Sequence, residues 1–96
     1  MNLITVVAKI KAKQGAEEKV REELLKLIAP TLLEEGCIDY DLHQDYTDAS
    51  LFFFYEKWES EFHLEKHLQS HHIDACFETL DGLVDQLEVN RLTKIR

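Results

Sequence analysis

Apolar and polar positions alternate with period two from Ile4 to Lys13. Ile4, Val6, Ala8, Ile10 and Ala12 fall on one side, and Thr5, Val7, Lys9, Lys11 and Lys13 on the other. Side chains alternate across a strand, so this pattern predicts a first strand with one buried face, stopped by Gln14-Gly15. From Ala16 to Glu35 the spacing becomes helical. Val20, Leu24, Leu27, Ile28 and Leu32 form one stripe, Glu17 and Glu18 sit where they favour the helix dipole, and Gly36 follows as a left-handed cap. Pro30 lies inside that stripe and lacks a backbone donor, so a kink, or a helix that ends and restarts, is predicted there. Cys37 to Asp45 alternates again, and the polar stretch Tyr46 to Ser50 turns the chain into a strand over Leu51–Trp58, making a hairpin. Ser60 is placed to cap a helix through Phe62, Leu64, Glu65 and Leu68, and Ser70 to cap another carrying Ile73, Phe77 and Leu80. Leu83 to Ile95, with Leu87, Val89, Leu92 and Ile95 among polar spacers, predicts a final strand.

The order is strand, helix, strand, strand, helix, strand over a single domain spanning residues 1–96. This split βαβ pattern closes as an α+β fold, a four-stranded antiparallel sheet with its helices on one face. The strand Leu51–Trp58 is apolar on both sides: Leu51, Phe53 and Tyr55 point one way, and Phe52, Phe54, Glu56 and Trp58 the other. One layer of helices covers one of these faces. The other requires more protein, and a second copy of the same chain is the simplest candidate, so a face-to-face homodimer is expected.

Charge and composition narrow the partners. A net charge of −8 with no basic cluster interleaved with aromatics argues against nucleic acid and anionic membrane. No apolar run approaches the ~20 residues that span a bilayer. Cys37 and Cys76 are lone thiols without metal-ligand spacing, and no signal peptide precedes the first strand, so a cytoplasmic location is expected. The glycines are isolated, which leaves no phosphate loop or dinucleotide fingerprint and therefore no expected cofactor.

Chemistry concentrates between Phe54 and His72. His63, His67 and His71 fall at i, i+4 and i+8, which on one continuous helix would stack three imidazoles and suggest a metal; with no partnering Cys or carboxylate at ligand spacing, none is expected. Surface or interface positions are the alternative for His63 and His71, while His67 and His72 flank the helix junction and each can reach back toward the sheet. Glu56 shares a strand face with Phe54 and Trp58. If enclosed, its desolvated carboxylate becomes a proton acceptor or a partner that orients a histidine; otherwise it is a strand-end glutamate paired with lysine. Trp58 is a core residue whose indole N–H can also hold an oxygen atom. Tyr40 and His43 face opposite sides of their strand, and Tyr40 is the pocket candidate.

Three segments carry a resemblance: Glu35-Gly36-Cys37-Ile38-Asp39-Tyr40-Asp41, Phe54-Tyr55-Glu56-Lys57-Trp58-Glu59-Ser60, and His63-Leu64-Glu65-Lys66-His67-Leu68-Gln69-Ser70 followed by His72. In order and spacing they resemble the antibiotic biosynthesis monooxygenase (ABM) family, most of all its quinol monooxygenases. The resemblance implies a ferredoxin-like subunit that pairs into a dimeric α+β barrel, and a cofactor-free enzyme that oxidises a small quinol or phenol with O₂. It also implies roles: His67 as base or substrate-orienting group, Glu56 as its electrostatic support, His72 as a second proton-transfer group, and Trp58, Tyr40 and Phe54 as the substrate-binding wall. The heme-degrading branch uses an Asn, a Trp and a His, where this chain has Ala8, His67 and Phe77. The polyketide-tailoring branch uses an Asn near its pocket Trp, whereas the asparagines here are Asn2 and Asn90. A branch acting on a phosphorylated signalling sugar would need clustered Arg or Lys in the pocket, and none is predicted there. The alternatives to a quinol oxygenase are a non-catalytic ligand-binding or stress-associated barrel, and an isomerase-type relative acting on a small signalling metabolite.

Overall fold

The computed structural model describes residues 3–96, so Asn2 lies outside the described residues. Along the chain come β1 (Ile4–Ala12), α1 (Glu17–Leu25), α2 (Ile28–Leu32), β2 (Cys37–Gln44), β3 (Leu51–Trp58), α3 (Glu61–Leu68), α4 (His71–Thr79) and β4 (Val84–Leu92). The strands form one antiparallel sheet in the order β2-β3-β1-β4. This is the ferredoxin-like α+β arrangement, with each crossover helix broken in two.

Antiparallel pairing puts facing residues on the same side of the sheet. Val6, Ala8 and Ile10 of β1 face Glu56, Phe54 and Phe52 of β3, and Tyr40 of β2 faces Glu56 from the other flank. All seven are buried, and they close the core with Val20, Leu24, Leu27, Trp58, Leu64, Ile73 and Leu80. The opposite side of β3 carries Leu51, Phe53 and Tyr55, with Val7 of β1 opposite Tyr55, and no helix covers it.

The first helix breaks earlier than Pro30. α1 stops at Leu25 and α2 restarts at Ile28, with Leu27 N–H bonding the carbonyl of Leu24 at 3.1 Å in a tighter turn. The reason lies in the proline itself. Its ring collides with the carbonyl four residues back, that of Lys26, and its missing donor is harmless only in a first turn, which is where the break leaves it. Restarting the helix also resets its phase: Thr31 takes the buried position and Leu32, expected on the core stripe, is 52% exposed.

The final strand ends at Leu92, short of Ile95, because its ladder partner β1 runs out: Leu92 faces Thr5 at the start of β1. Ile95 lies beyond the strand and is fully exposed. Leu87 and Val89 face Ile10 and Ala8 and so point to the helix side, yet both remain about half exposed at this outer edge. No helix of the described residues is long and apolar enough to cross a membrane.

Candidate active site

Ser60 and Ser70 start α3 and α4 as expected, their hydroxyls accepting from His63 N–H at 3.3 Å and Ile73 N–H at 3.4 Å. The second cap interrupts the helix, and so the row His63-His67-His71 never forms. His63 instead hydrogen-bonds Ser60 Oγ at 2.7 Å, and His71 is exposed. The residue brought to His67 is His72, one position into the next helix.

A carboxylate joins them. Glu34, in the turn after α2, places Oε2 2.7 Å from His67 Nδ1 and 2.7 Å from His72 Nε2. The three side chains run from inside to outside, with exposures of 2% for His67, 17% for Glu34 and 24% for His72. An ionised carboxylate only accepts, so it fixes His67 as the Nδ1–H tautomer and leaves the Nε2 lone pair for a reacting proton. Burial holds His67 below the ordinary histidine range, against the opposing pull of Glu34, and favours the neutral base.

Aromatic rings enclose that base. The His67 ring lies 4.7 Å from Trp58 and 5.4 Å from Tyr40, edge-on to the latter, while Tyr40 stacks on Phe54 at 4.7 Å. Period-two geometry explains the wall: Phe54, Glu56 and Trp58 share the inner face of β3, and Tyr40 joins them from β2 through its register with Glu56. Tyr40, Phe54, Trp58 and His67 are each no more than 3% exposed, so they pack against one another as a closed group. Burial, then the nearby Glu56 charge, pushes the Tyr40 phenol well above its ordinary range, so it remains a donor.

Glu56 is engaged by the indole beside it on the same strand face. Its Oε1 accepts the Trp58 indole N–H at 3.0 Å, and the carboxylate bonded to His67 is Glu34. Glu34 escaped notice because it belongs to no helical or strand spacing with the histidines, which lie 33 and 38 residues further along the chain. One signal pointed to it. Gly36 immediately precedes β2, the strand that pairs with β3, and the α3 histidines follow β3 directly, so acids just before Gly36 must lie near α3; Glu59 N–H bonding the Gly36 carbonyl at 2.8 Å shows that closeness.

Burial raises Glu56 to about 7, with the Trp58 hydrogen bond opposing and the Glu34 charge adding. A carboxyl raised on folding resists ionisation in the folded state. Its penalty is absent below the ordinary glutamate range, grows as pH climbs, and is complete above about pH 7. Glu56→Gln keeps an acceptor for the indole and removes the ionisation. Relative to the wild type, the variant is therefore expected to gain on the order of 3 kcal/mol across that window, read from denaturant unfolding at a series of pH values. Parallel stability curves for the two proteins would show that the carboxylate is hydrated after all.

The donor atoms of Glu34, His67 and His72 all lie within 4.8 Å of one another, the composition of a two-histidine, one-carboxylate metal site. They are the residues of this chain that could hold an ion. Both imidazole nitrogens already share Glu34 Oε2, however, and an ion would have to displace two short hydrogen bonds. A cleft of about 240 Å³ between α1 and α4 reaches His72 from outside, lined by Glu23, Lys26 and His71 among others.

The family model for antibiotic biosynthesis monooxygenase matches residues 3–79. The chain belongs to this family. YgiN of Escherichia coli (strain K12), described as a probable quinol monooxygenase, is 34% identical over 98 residues, covering 92% of each chain. Among solved structures, PA3566 of Pseudomonas aeruginosa is 32% identical with a TM-score of 0.95, over 100% of this chain and 97% of that one. A conserved protein of Methanosarcina mazei Go1 is 34% identical with a TM-score of 0.89, over 98% and 94%. The ABM match takes in every member of the trio and of the aromatic wall, and family membership supports a monooxygenase-type activity on a small molecule.

Proposed function

We propose that this chain is a cofactor-independent monooxygenase that oxidises a small quinol or phenol with O₂. The observation that carries the reading is His67: a buried, neutral imidazole fixed by Glu34 and enclosed by Trp58 and Tyr40. His67 Nε2 removes the hydroxyl proton of the substrate, and the resulting anion is electron-rich enough to reduce O₂. Trp58, Tyr40 and Phe54 then cage the organic and oxygen radicals until they combine, away from water. The balance closes for a quinol: quinol plus O₂ gives hydroxyquinone plus water, with one oxygen atom in each product. Because the wall is closed around His67, the rings must part to admit substrate.

Oxygen uptake with a panel of reduced benzoquinones and naphthoquinones tests the reading, with product mass reporting the added oxygen. Turnover with incorporation of one oxygen atom supports it. Absence of uptake across the panel overturns it in favour of the ligand-binding barrel, a reading to which the filled space around His67 lends support.

The uncovered side of β3 and β1, with Val7, Leu51, Phe53 and Tyr55, supports a homodimer formed by sheet-to-sheet packing. Sedimentation equilibrium is expected to give twice the 11.3 kDa chain mass, and Phe53→Glu to return the monomer. A wild-type monomer at micromolar concentration would exclude this assembly. The free thiols Cys37 and Cys76 fit a reducing cytoplasm.

A further inference from the structure

We propose that Glu34, His67 and His72 form a binding site for a divalent transition-metal ion of the zinc kind, and that an ion seated there switches off His67 as a base. The ion acts as an inhibitor, and no step of the oxidation runs through it. The shut-off rests on the oxygenase reading; the site itself does not.

The donor set selects the ion. Two imidazole nitrogens and one carboxylate oxygen lie within 4.8 Å of one another. Imidazole suits zinc, nickel and copper, whereas magnesium and calcium take oxygen ligands. The histidines have no carboxylate at ligand spacing along the chain, and the turn after α2 supplies one. Glu34 Oε2 sits 2.7 Å from His67 Nδ1 and 2.7 Å from His72 Nε2, so it already gathers both nitrogens toward one point. Around a tetrahedral ion with bonds of about 2.0–2.1 Å, ligand atoms stand roughly 3.3 Å apart. Glu34 therefore has to withdraw from each nitrogen by only about 0.6 Å as the two hydrogen bonds are exchanged for metal bonds.

An ion has a way in. The cleft of about 240 Å³ between α1 and α4 opens on His72, whose side chain is 24% exposed. Two of the groups beside it are already engaged. Glu23 is paired with Lys19 and Lys26, each at 3.1 Å, and the Cys76 thiol, pushed up to about 11 chiefly by burial, stays protonated and donates to the Glu23 carbonyl. The net charge of −8 draws cations toward the protein.

The consequence lies across the ring. Bonded to Glu34, His67 carries its hydrogen on Nδ1 and keeps a lone pair on Nε2. An imidazole that gives its Nδ1 lone pair to an ion carries its hydrogen on Nε2 instead. The ring stays neutral: one N–H bond breaks at Nδ1 and one forms at Nε2, through water that enters when Trp58 and Tyr40 part. Nε2 then donates where it formerly accepted, and no substrate hydroxyl can lose its proton to it.

The test titrates the full chain, stripped of metal by chelation, with zinc chloride alone. One ion per chain is expected by calorimetry, with a rise in Tm of about 10 °C at a hundredfold excess over Kd. His72→Ala and Glu34→Gln should each weaken binding by more than about 100-fold, since even an outer partner of a ligand is worth about 10- to 100-fold. His71→Ala, which removes the exposed histidine of the same cleft, should bind as the wild type does. Nitrogen NMR of the imidazoles gives a readout free of turnover: the His67 hydrogen should sit on Nδ1 without zinc and on Nε2 with it. In quinol oxidation, saturating zinc should lower kcat of the wild type by roughly 10²-fold and leave untouched whatever activity His72→Ala retains. Absence of saturable binding, or equal binding in all four proteins, overturns the site. Loss of binding in His71→Ala places the ion elsewhere and overturns it too. Binding with the His67 hydrogen still on Nδ1, or with undiminished turnover, overturns the switch. If zinc binds and moves the hydrogen in a protein that oxidises no quinol when metal-free, the oxygenase reading fails and the site stands.

Discussion

Replacing His67 by glutamine is expected to lower kcat/KM for quinol oxidation by roughly 10²- to 10⁴-fold, the usual worth of a positioned general base. Glutamine is the informative substitution because its amide can still donate to Glu34 and fill most of the space between Trp58 and Tyr40, while it offers no basic lone pair. Alanine would also remove activity, but it would leave a cavity beside three rings and an acid short of one donor, at about 2–5 kcal/mol of stability. Loss of turnover in a protein that unfolds near the wild-type temperature assigns the loss to chemistry. A Gln variant within a few-fold of the wild type would remove His67 from the reaction.

Gly36→Ala is expected to be the most destabilising small substitution in the chain. Gly36 has φ of +86°, and a Cβ built there would lie 2.6 Å from both Cβ and Cδ2 of His63. Left-handed backbone costs a non-glycine residue about 1–2 kcal/mol, and an overpacked contact adds about 1–3 kcal/mol more. The His63 ring cannot simply swing aside, because Nδ1 is tied to Ser60 Oγ at 2.7 Å. At roughly 4–8 °C per kcal/mol for a domain of this size, Tm should fall by more than about 10 °C. Gly15→Ala is the control, with φ of +89° and open space around it, so it carries the backbone cost alone. His63→Ala in the Gly36→Ala background should recover the steric part. Equal melting temperatures for the Gly36 and Gly15 variants would mean that the His63 contact costs nothing.

The sequence showed the sheet far better than the site, for a physical reason. Strand faces follow a period of two, so Val6 to Ile10 and Phe52 to Trp58 declared their buried sides without knowledge of any partner, and the order of elements then allowed few topologies. The aromatic wall came with them, because Phe54 and Trp58 are fixed on one face by the same alternation. Glu34 was hidden because a turn has no period and its partners come from two other helices. The histidines were legible only as a row. Which of them pair depended on Ser70, whose hydroxyl restarts the helix and turns His72 inward while leaving His71 in solvent. Pro30 shows the same limit in the helix, since the chain yielded at Lys26 and Leu27, where the ring would have struck a carbonyl, rather than at the proline.

The carboxylate and its two imidazoles come from a turn, α3 and α4, and nothing local holds them together. The β2–β3 hairpin must close before Glu34 can meet either ring, so the trio cannot assemble on an isolated helix pair or survive loss of the sheet. Acid–base competence in this chain is therefore a cooperative property of the whole domain. It appears with the global folding transition, and no partly folded form, however rich in helix, can carry it.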